Sequence, residues 1–212
     1  MASDYASGRN YPRDSYDGAM DVVDWSDGQW RNPPESEQVG PAGLEILTGD
    51  KTDMWRETSY GFIHDNGHAL LAPLADGEAM ECDVDARYTE QFDQAGMLAW
   101  SADTHWIKCG IENADGVAQK GAVVTAGTSD WSASPAPEWS TGTTTFRVSR
   151  LGDALTIRAR RPGEPWQLVR LAPIDPARDW RAGPYAASPS RAGLRVLFVS
   201  WRRGPADSTL HE

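Results

Sequence analysis

The sequence contains little cysteine and no long apolar run. Only two cysteines, Cys82 and Cys109, occur among 212 residues. They are too few for a disulfide framework, and no CxxC pair suggests a metal site. No stretch of about 18 apolar residues is present, which excludes a transmembrane helix and predicts no membrane partner. The first ten residues lack the basic and apolar regions of a secretory signal, so we expect a cytoplasmic protein.

Basic residues are scarce relative to acidic ones. The chain has 20 Lys and Arg against 31 Asp and Glu, which gives a formal net charge of −11. Because such a surface repels phosphate backbones, we expect no nucleic-acid partner. Phenylalanine is scarce as well, with four Phe against ten Trp. Since indole combines a large apolar face with an N–H donor, the excess of Trp favours surfaces that stack on ligands in addition to a packed interior.

Helical periodicity and the common catalytic motifs are also absent. There is no helix-period segment longer than two turns, no Gly-rich phosphate loop and no GxSxG elbow, so no cofactor is predicted. His64 and His68 are four residues apart, but the intervening Asp-Asn-Gly predicts a turn, which excludes a helical zinc motif. The acidic series Asp14, Asp17, Asp21, Asp24 and Asp27 fits no EF-hand loop, and we predict no metal site.

Alternation of apolar and polar residues at a period of two is the main pattern present. Turn signals such as Asp115-Gly116 separate the alternating segments, which cover residues 44–48, 80–88, 96–101, 106–112, 122–125, 144–149, 154–160, 166–171 and 194–201. This pattern predicts an all-β sandwich of two antiparallel sheets. We expect a polar arm over residues 1–20, one domain over residues 21–203 and a disordered tail over residues 204–212.

The strand predicted at residues 106–112 has two faces of different chemistry. Alternation directs Ile107, Cys109 and Ile111 into the core. It directs Trp106, Lys108 and Glu112 to the opposite face, where Gly110 leaves open space over the sheet. In the same way, Cys82 faces the core from its own strand, with Glu81 and Asp83 outward. Residues 128–132 have a turn-forming composition.

Several of these segments occur together in one known family. They are YGF at 60–62, DNGH at 65–68, FDQAG at 92–96, WIKCGIE at 106–112, VVT at 123–125, SDWS at 129–132 and GPYAASP at 183–189. Through them the chain closely resembles the "regulation of enolase" family, over roughly residues 24–203. The resemblance implies a concanavalin A-like (lectin/glucanase) jelly-roll sandwich, and it implies no particular reaction.

The leading functional prediction is a carbohydrate-recognising protein that binds a sugar or glycoside in a groove on the concave sheet. Sugars present apolar C–H faces to aromatic rings and hydroxyls to polar groups, and a concave sandwich face supplies both. We expect Asp93, Trp106, Lys108, Glu112 and Trp131 to line one pocket. The predicted ligand-binding residues are Trp106, Trp131, Gln94, Ser129, Asp130, His68, Tyr60 and Arg56, with Trp100 as a further stacking surface.

Two other functions are alternatives, and the first of them uses the same residues. A glycoside-processing enzyme would employ Glu112 and Asp93 as a general acid and a base or nucleophile, with Lys108 tuning their pKa values. A protein-interaction module would instead regulate a metabolic enzyme, as the family name implies, and its partner would be a protein.

Overall fold

The computed structural model describes residues 19–211, which form two antiparallel sheets packed face to face. This arrangement confirms the predicted all-β sandwich. The predicted arm over residues 1–20 lies almost entirely outside the described residues, as do Asp14 and Asp17 of the acidic series. Among residues 19–211, no helix has the length and apolar character needed to cross a membrane.

The described residues contain seventeen strands and two short 3-10 helices, the latter at Trp25–Asp27 and Pro137–Trp139. The strands are β1 (Asp21–Val22), β2 (Gln29–Arg31), β3 (Ser36–Gly40), β4 (Gly43–Leu47), β5 (Met54–Arg56), β6 (Ile63–Asp65), β7 (His68–Pro73), β8 (Glu78–Ala86), β9 (Gln94–Ala102), β10 (His105–Ala114), β11 (Val117–Ala126), β12 (Thr128–Pro135), β13 (Thr143–Leu151), β14 (Ala154–Arg160), β15 (Gln167–Pro173), β16 (Arg181–Ala187) and β17 (Arg195–Pro205).

The strand order separates two large sheets and one small hairpin. The first sheet runs β15-β14-β13-β8-β17-β4-β3, with β1 paired to β17. The second sheet runs β12-β11-β10-β9-β16-β7-β2, and β5 pairs only with β6. The turn between β10 and β11 places Asp115 at φ 54° and Gly116 at φ 77°. Positive φ at both central residues is the geometry that Asp-Gly turns favour, as the sequence predicts.

The main core lies between the two sheets and follows the predicted alternation. Ile107, Cys109 and Ile111 of β10 are buried there against Met80, Cys82, Val84 and Ala86 of β8. Both cysteines are free thiols in this apolar interior, as expected. Burial raises the pKa of Cys109 to about 12. A thiol with such a pKa stays protonated at neutral pH and reacts slowly.

Four strands of the second sheet were not predicted, and one of them is the three-residue β2. β7 and β16 are buried on almost every residue, so they show no alternation of apolar and polar side chains. β12 was predicted as a turn over residues 128–132, and its polar composition reflects its position at the edge of the sheet. Period-two reasoning detects strands with one buried and one solvated face. β7 and β16 are buried on both faces, and β12 is exposed on most of its residues.

A second hydrophobic cluster lies on the outer face of the seven-stranded sheet, which is the face turned away from the main core. Met54 and Trp55 of the β5–β6 hairpin pack there on Leu98, Trp106 and other buried side chains of the sheet. The hairpin therefore covers part of the outer face and supplies one wall of the space beside it.

The outer face of the eight-stranded sheet carries a buried ion network. Glu81 is on the outward face of β8, as predicted, and on that face it is buried and accepts a hydrogen bond of 2.8 Å from Arg147. Arg147 and Arg158 also donate to Asp207, at 2.7 and 3.0 Å. The prediction of a disordered tail over residues 204–212 is therefore wrong for its first part, because β17 continues to Pro205 and Asp207 is buried.

We expect Asp207→Ala to lower the free energy of unfolding by about 3–5 kcal/mol, because removal of one partner leaves buried charges without compensation. Urea unfolding monitored by circular dichroism measures the change. Asp50→Ala, at an exposed aspartate whose ion-pair distance is 4.0 Å, is the control and should change stability by less than about 0.5 kcal/mol. Equal effects of the two substitutions would contradict the anchoring role of Asp207.

Candidate functional site

A cavity opens on the outer face of the seven-stranded sheet, beside the β5–β6 hairpin. Its volume is about 420 Å³, which lies within the usual size range of small-molecule sites, roughly 300–1,000 Å³. Its aromatic lining consists of Trp55, Tyr60, Phe62, His64, Phe92 and Trp131. Its polar lining consists of Lys51, Asp53, Gln91, Gln94, Lys108, Glu112 and Ser190.

A hydrogen-bonded cluster around Lys108 forms the polar side of the cavity. The Lys108 ammonium donates to Asp53 Oδ1 and to Gln94 Oε1, both at 2.8 Å. Tyr185 donates its hydroxyl to the same Gln94 oxygen at 3.1 Å. Lys108 is only 5% exposed, so the two acceptors compensate a charge that would otherwise be costly to bury.

Asp53 is held through one oxygen. Besides the Lys108 ammonium, Asp53 Oδ1 accepts hydrogen bonds from the backbone N–H of Met54 at 2.7 Å and from the Gln94 amide at 3.3 Å. Within residues 19–211, Asp53 Oδ2 accepts no hydrogen bond. One carboxylate oxygen thus anchors the side chain, and the other remains available to a ligand.

Glu112 is a carboxyl group of the cavity whose oxygens have no hydrogen-bond donor among residues 19–211. It lies on β10 opposite Gln94 and accepts no hydrogen bond from any other residue in the described part of the chain. Burial raises the pKa of Glu112 to about 7, and the Asp53 charge adds to this effect while the Lys108 ammonium partly opposes it. Near neutral pH this side chain can therefore both donate and accept a proton.

The opposite wall of the cavity is aromatic. In the loop that joins β5 to β6, the Tyr60 and Phe62 rings stack with centroids 5.3 Å apart, and the His64 ring meets Phe62 edge-on at 4.7 Å. Trp131 of β12 lines the same cavity and is 40% exposed. Exposed ring faces beside buried polar groups form an amphipathic lining.

Five of the predicted residues line this cavity. They are Glu112, Lys108, Gln94, Trp131 and Tyr60. Gly110 lines a smaller recess that shares Gln94, Lys108 and Glu112 with the cavity. The prediction of open space directly over this glycine is wrong, because an added Cβ would lie 2.3 Å from the Ala95 carbonyl oxygen.

Asp93 does not line the cavity, so its predicted role as a catalytic partner of Glu112 is wrong. Its carboxylate is fully buried and accepts a bidentate pair from Arg191, at 3.0 and 2.6 Å. The backbone N–H groups of Thr89 and Glu90 donate to the same carboxylate, both at 3.0 Å. With its acceptor capacity used in this way, Asp93 holds the loop before β9 in place.

The prediction that Trp106 stacks on a ligand is also wrong. Trp106 is on the predicted face of β10, but it is 0% exposed because the β5–β6 hairpin covers it. Its indole donates to the backbone oxygen of Asp103 at 3.2 Å. Trp100 lies outside the cavity as well, where the Arg31 guanidinium sits 5.2 Å from its ring centroid.

Four further predicted ligand-binding residues have structural contacts instead. His68 is buried, accepting from Gly49 N–H at 3.0 Å and contacting the Asn32 carbonyl at 2.8 Å. Ser129 accepts from the backbone N–H of Arg56 at 2.9 Å. The Arg56 side chain donates to the Gly127 carbonyl at 3.1 Å, and Asp130 pairs with Arg170 at 2.8 Å. The prediction that these side chains contact the ligand is therefore wrong for this cavity.

Asp53 and Phe62 are lining residues that sequence reasoning did not assign to the site. Both lie in or beside the β5–β6 hairpin, for which the sequence predicts no strands. The sequence gives only a weak indication that these two residues belong to the site, because a short polar and aromatic hairpin has neither helical nor strand periodicity. Within the described residues, no group of three or more His, Cys, Asp or Glu side chains is arranged to hold a metal ion.

The titration of Glu112 predicts a pH-dependent stability. Because the folded-state pKa of about 7 exceeds the ordinary value of 4.5, the folded protein holds more protons between these values, and stability falls as pH rises through them. The substitution Glu112→Gln removes the titrating carboxyl group and therefore this loss of stability at higher pH. We expect the variant to melt at a higher temperature than the wild type at pH 8 and at the same temperature near pH 4. A wild-type advantage at pH 8 would contradict the raised pKa.

Comparison with known proteins places the chain in a family. The family model described as "Protein of unknown function (DUF1349)" matches residues 30–206. A curated relative, "Regulation of enolase protein 1" of Saccharomyces cerevisiae (strain ATCC 204508 / S288c), is 38% identical over 195 residues, which cover 88% of this chain and 94% of the relative. The resemblance predicted from the sequence motifs is thereby confirmed.

Solved structures support the same assignment. A functionally unknown protein from Saccharomyces cerevisiae superposes with a TM-score of 0.82 at 36% identity, over 86% of this chain and 98% of that one. The GH43 protein BlXynB from Bacillus licheniformis superposes with a TM-score of 0.64 at 15% identity, over 84% of this chain and 36% of that one. The xylan beta-1,4-xylosidase from Bacillus halodurans C-125 superposes with a TM-score of 0.66 at 14% identity, over 92% of this chain and 41% of that one. These two likenesses show the fold alone.

Proposed function

The chain belongs to the DUF1349 family of proteins of unknown function, and we propose that it binds a sugar or glycoside in the cavity beside the β5–β6 hairpin. The observation that supports this proposal is the lining itself. Exposed rings of Tyr60, Phe62 and Trp131 flank the polar groups of Asp53 and Glu112. A pyranose ring presents matching surfaces, since its C–H faces are apolar and its edges carry hydroxyls.

The polar groups of the cavity also suit an uncharged polyhydroxylated ligand. Lys108 is already neutralised by Asp53, so its charge is not left for an anionic ligand. Glu112 and Asp53 Oδ2 are acceptors for hydroxyl donors, and Glu112 in its protonated form also donates. A cytoplasmic location is part of the proposal, and it is supported by the name of the yeast relative, which connects that protein with a metabolic enzyme.

Calorimetric titration with methyl glycosides of glucose, galactose, mannose, xylose and arabinose tests the proposal. We expect at least one of them to bind, and Trp131→Ala to weaken its affinity about tenfold, because the variant loses an exposed stacking surface. Trp166→Ala is the matched control, since Trp166 stacks with Arg160 on the other sheet. Failure of all five glycosides to bind, or equal effects of the two substitutions, would contradict the proposed site.

A second candidate function is hydrolysis of a glycoside. Asp53 takes the place of Asp93 as the second carboxylate, because it lies in the cavity with Glu112 and keeps one oxygen free. Glu112 would protonate the leaving oxygen, and the Asp53 carboxylate would serve as the base that receives a proton from the attacking water. Lys108 would act as a positioning residue through its ion pair with Asp53.

If the site is hydrolytic, nitrophenyl glycosides of the same five sugars will be cleaved. Glu112→Gln should lower kcat by at least about 100-fold, the usual minimum for loss of a general acid, while glycoside affinity measured by calorimetry stays within about threefold. Asp50→Ala is again the control, because Asp50 does not line the cavity. Binding without any turnover would rule out hydrolysis and leave the binding proposal in place.

A protein-interaction role is the third candidate, and its support is the printed name of the yeast relative. Such a module would change the activity of purified enolase without any glycoside present. This behaviour separates it from the first two functions, which both require a ligand in the cavity.

A further inference from the structure

Three glycines lie side by side on the outer face of the seven-stranded sheet. Gly96 of β9 pairs with Gly110 of β10, and Gly110 pairs with Gly121 of β11. We call this row the glycine trough. Tyr185 pairs with Gly96 at one end, and Ala133 pairs with Gly121 at the other. Because neighbouring strands are about 4.8 Å apart, the trough is about 10 Å long.

The glycines are required by close packing of the strands. An added Cβ would lie 2.1 Å from the Cys109 carbonyl oxygen at Gly96, 2.3 Å from that of Ala95 at Gly110, and 2.4 Å from that of Ser132 at Gly121. Glycine within a strand lowers stability, and it often marks a place where a ligand approaches the backbone. One consequence is a sheet surface that is bare of side chains across three strands.

A small recess lies over this bare surface and opens beside the main cavity. Its volume is about 20 Å³, and its lining includes Gly110, Gly121 and Ala133. Since a cavity needs roughly 10–15 Å³ of such volume to hold one water molecule, the recess admits about one non-hydrogen atom. A pyranose ring is much too large to enter it, whereas the end of a short substituent on the ring can do so.

The rim of the recess supplies a partner for a hydroxyl. Glu112 and Gln94 line both the recess and the cavity. The Gln94 carbonyl oxygen is occupied by Lys108 and Tyr185, but Glu112 accepts no hydrogen bond within residues 19–211. A hydroxyl oxygen in the recess would therefore meet a carboxyl group with its full hydrogen-bonding capacity unused.

We propose that the recess is a subsite for the exocyclic hydroxymethyl group of a hexopyranoside, and that Ala133 and Glu112 make the site selective for hexoses over pentoses. The proposal rests on glycoside binding in the main cavity. The ring lies in the cavity against Trp131, the C6 carbon lies at the mouth of the recess, and the O6 hydroxyl bonds to Glu112. A pentopyranoside has the same ring but no group to fill the recess.

Calorimetric titration of matched glycosides tests this selectivity. The pairs are methyl glucoside with methyl xyloside, and methyl galactoside with methyl arabinopyranoside, each accompanied by the 6-deoxy form of the hexoside. For the pair that binds, we expect the hexoside to bind at least about tenfold more tightly than the other two, because only the hexoside pairs Glu112 with a hydroxyl. Equal affinities would overturn the subsite and leave glycoside binding intact.

Ala133→Val places two methyl groups at the recess without changing a glycine. Ala133 is exposed on an edge strand, where valine is well tolerated. We expect the variant to lower hexoside affinity to the level of the pentoside, with pentoside affinity unchanged within about twofold. The control is Ser134→Val, since Ser134 is also exposed but points away from the recess.

Other outcomes of these titrations separate the two proposals. If Ala133→Val weakened hexoside and pentoside equally, or weakened neither, the recess would not hold the hydroxymethyl group. If no glycoside bound to the wild-type protein, the subsite and the proposed function would both be overturned.

Discussion

The arrangement of the site depends on how the ammonium group of Lys108 is neutralised. Lys108 projects from a central strand and is only 5% exposed. An uncompensated charge at such a position costs several kcal/mol. Asp53, 55 residues earlier in the chain, provides the counter-charge at 2.8 Å. Because Asp53 immediately precedes β5, the same ion pair holds the β5–β6 hairpin against the sheet, and the hairpin contributes the aromatic wall of the cavity.

The two outer faces of the sandwich differ in what covers them. On the eight-stranded sheet, Arg147 and Asp207 belong to a buried ion network that the residues after β17 help to cover. On the seven-stranded sheet, the hairpin covers the part around Trp106 and leaves the part around Glu112 beside a cavity. The first face is therefore closed by ion pairs, whereas the second keeps a cavity between the hairpin and the sheet.

The contrast between Asp93 and Glu112 shows why carboxylates close in sequence have different roles. Asp93 receives hydrogen bonds from Arg191 and from two backbone N–H groups, so its negative charge is compensated and its oxygens are occupied. Glu112 receives no hydrogen bond from residues 19–211, and burial raises its pKa to about 7. Partners, and not burial alone, determine which carboxyl group remains available for chemistry.

Fold class, family and the facing of the central strands could all be predicted from the sequence. Alternation in β8 and β10 was sufficient to assign Cys82, Ile111 and Glu112 to their correct sides, because a strand pleat has a period of two that side-chain chemistry must follow. Strands buried on both faces, such as β16, escaped this reasoning because they do not alternate.

The accessibility of the outward side chains could not be predicted in this way, because it depends on tertiary contacts. Trp106 and Lys108 share a face, yet the hairpin covers the indole and brings Asp53 to the ammonium. Likewise, Arg191 reaches Asp93 from 98 residues away and removes it from the site. These contacts depend on the relative positions of segments that are distant in the chain. Such positions produce no periodic pattern in the sequence. Local periodicity therefore predicts the direction of a side chain, but its burial and its partners are determined by what packs above it.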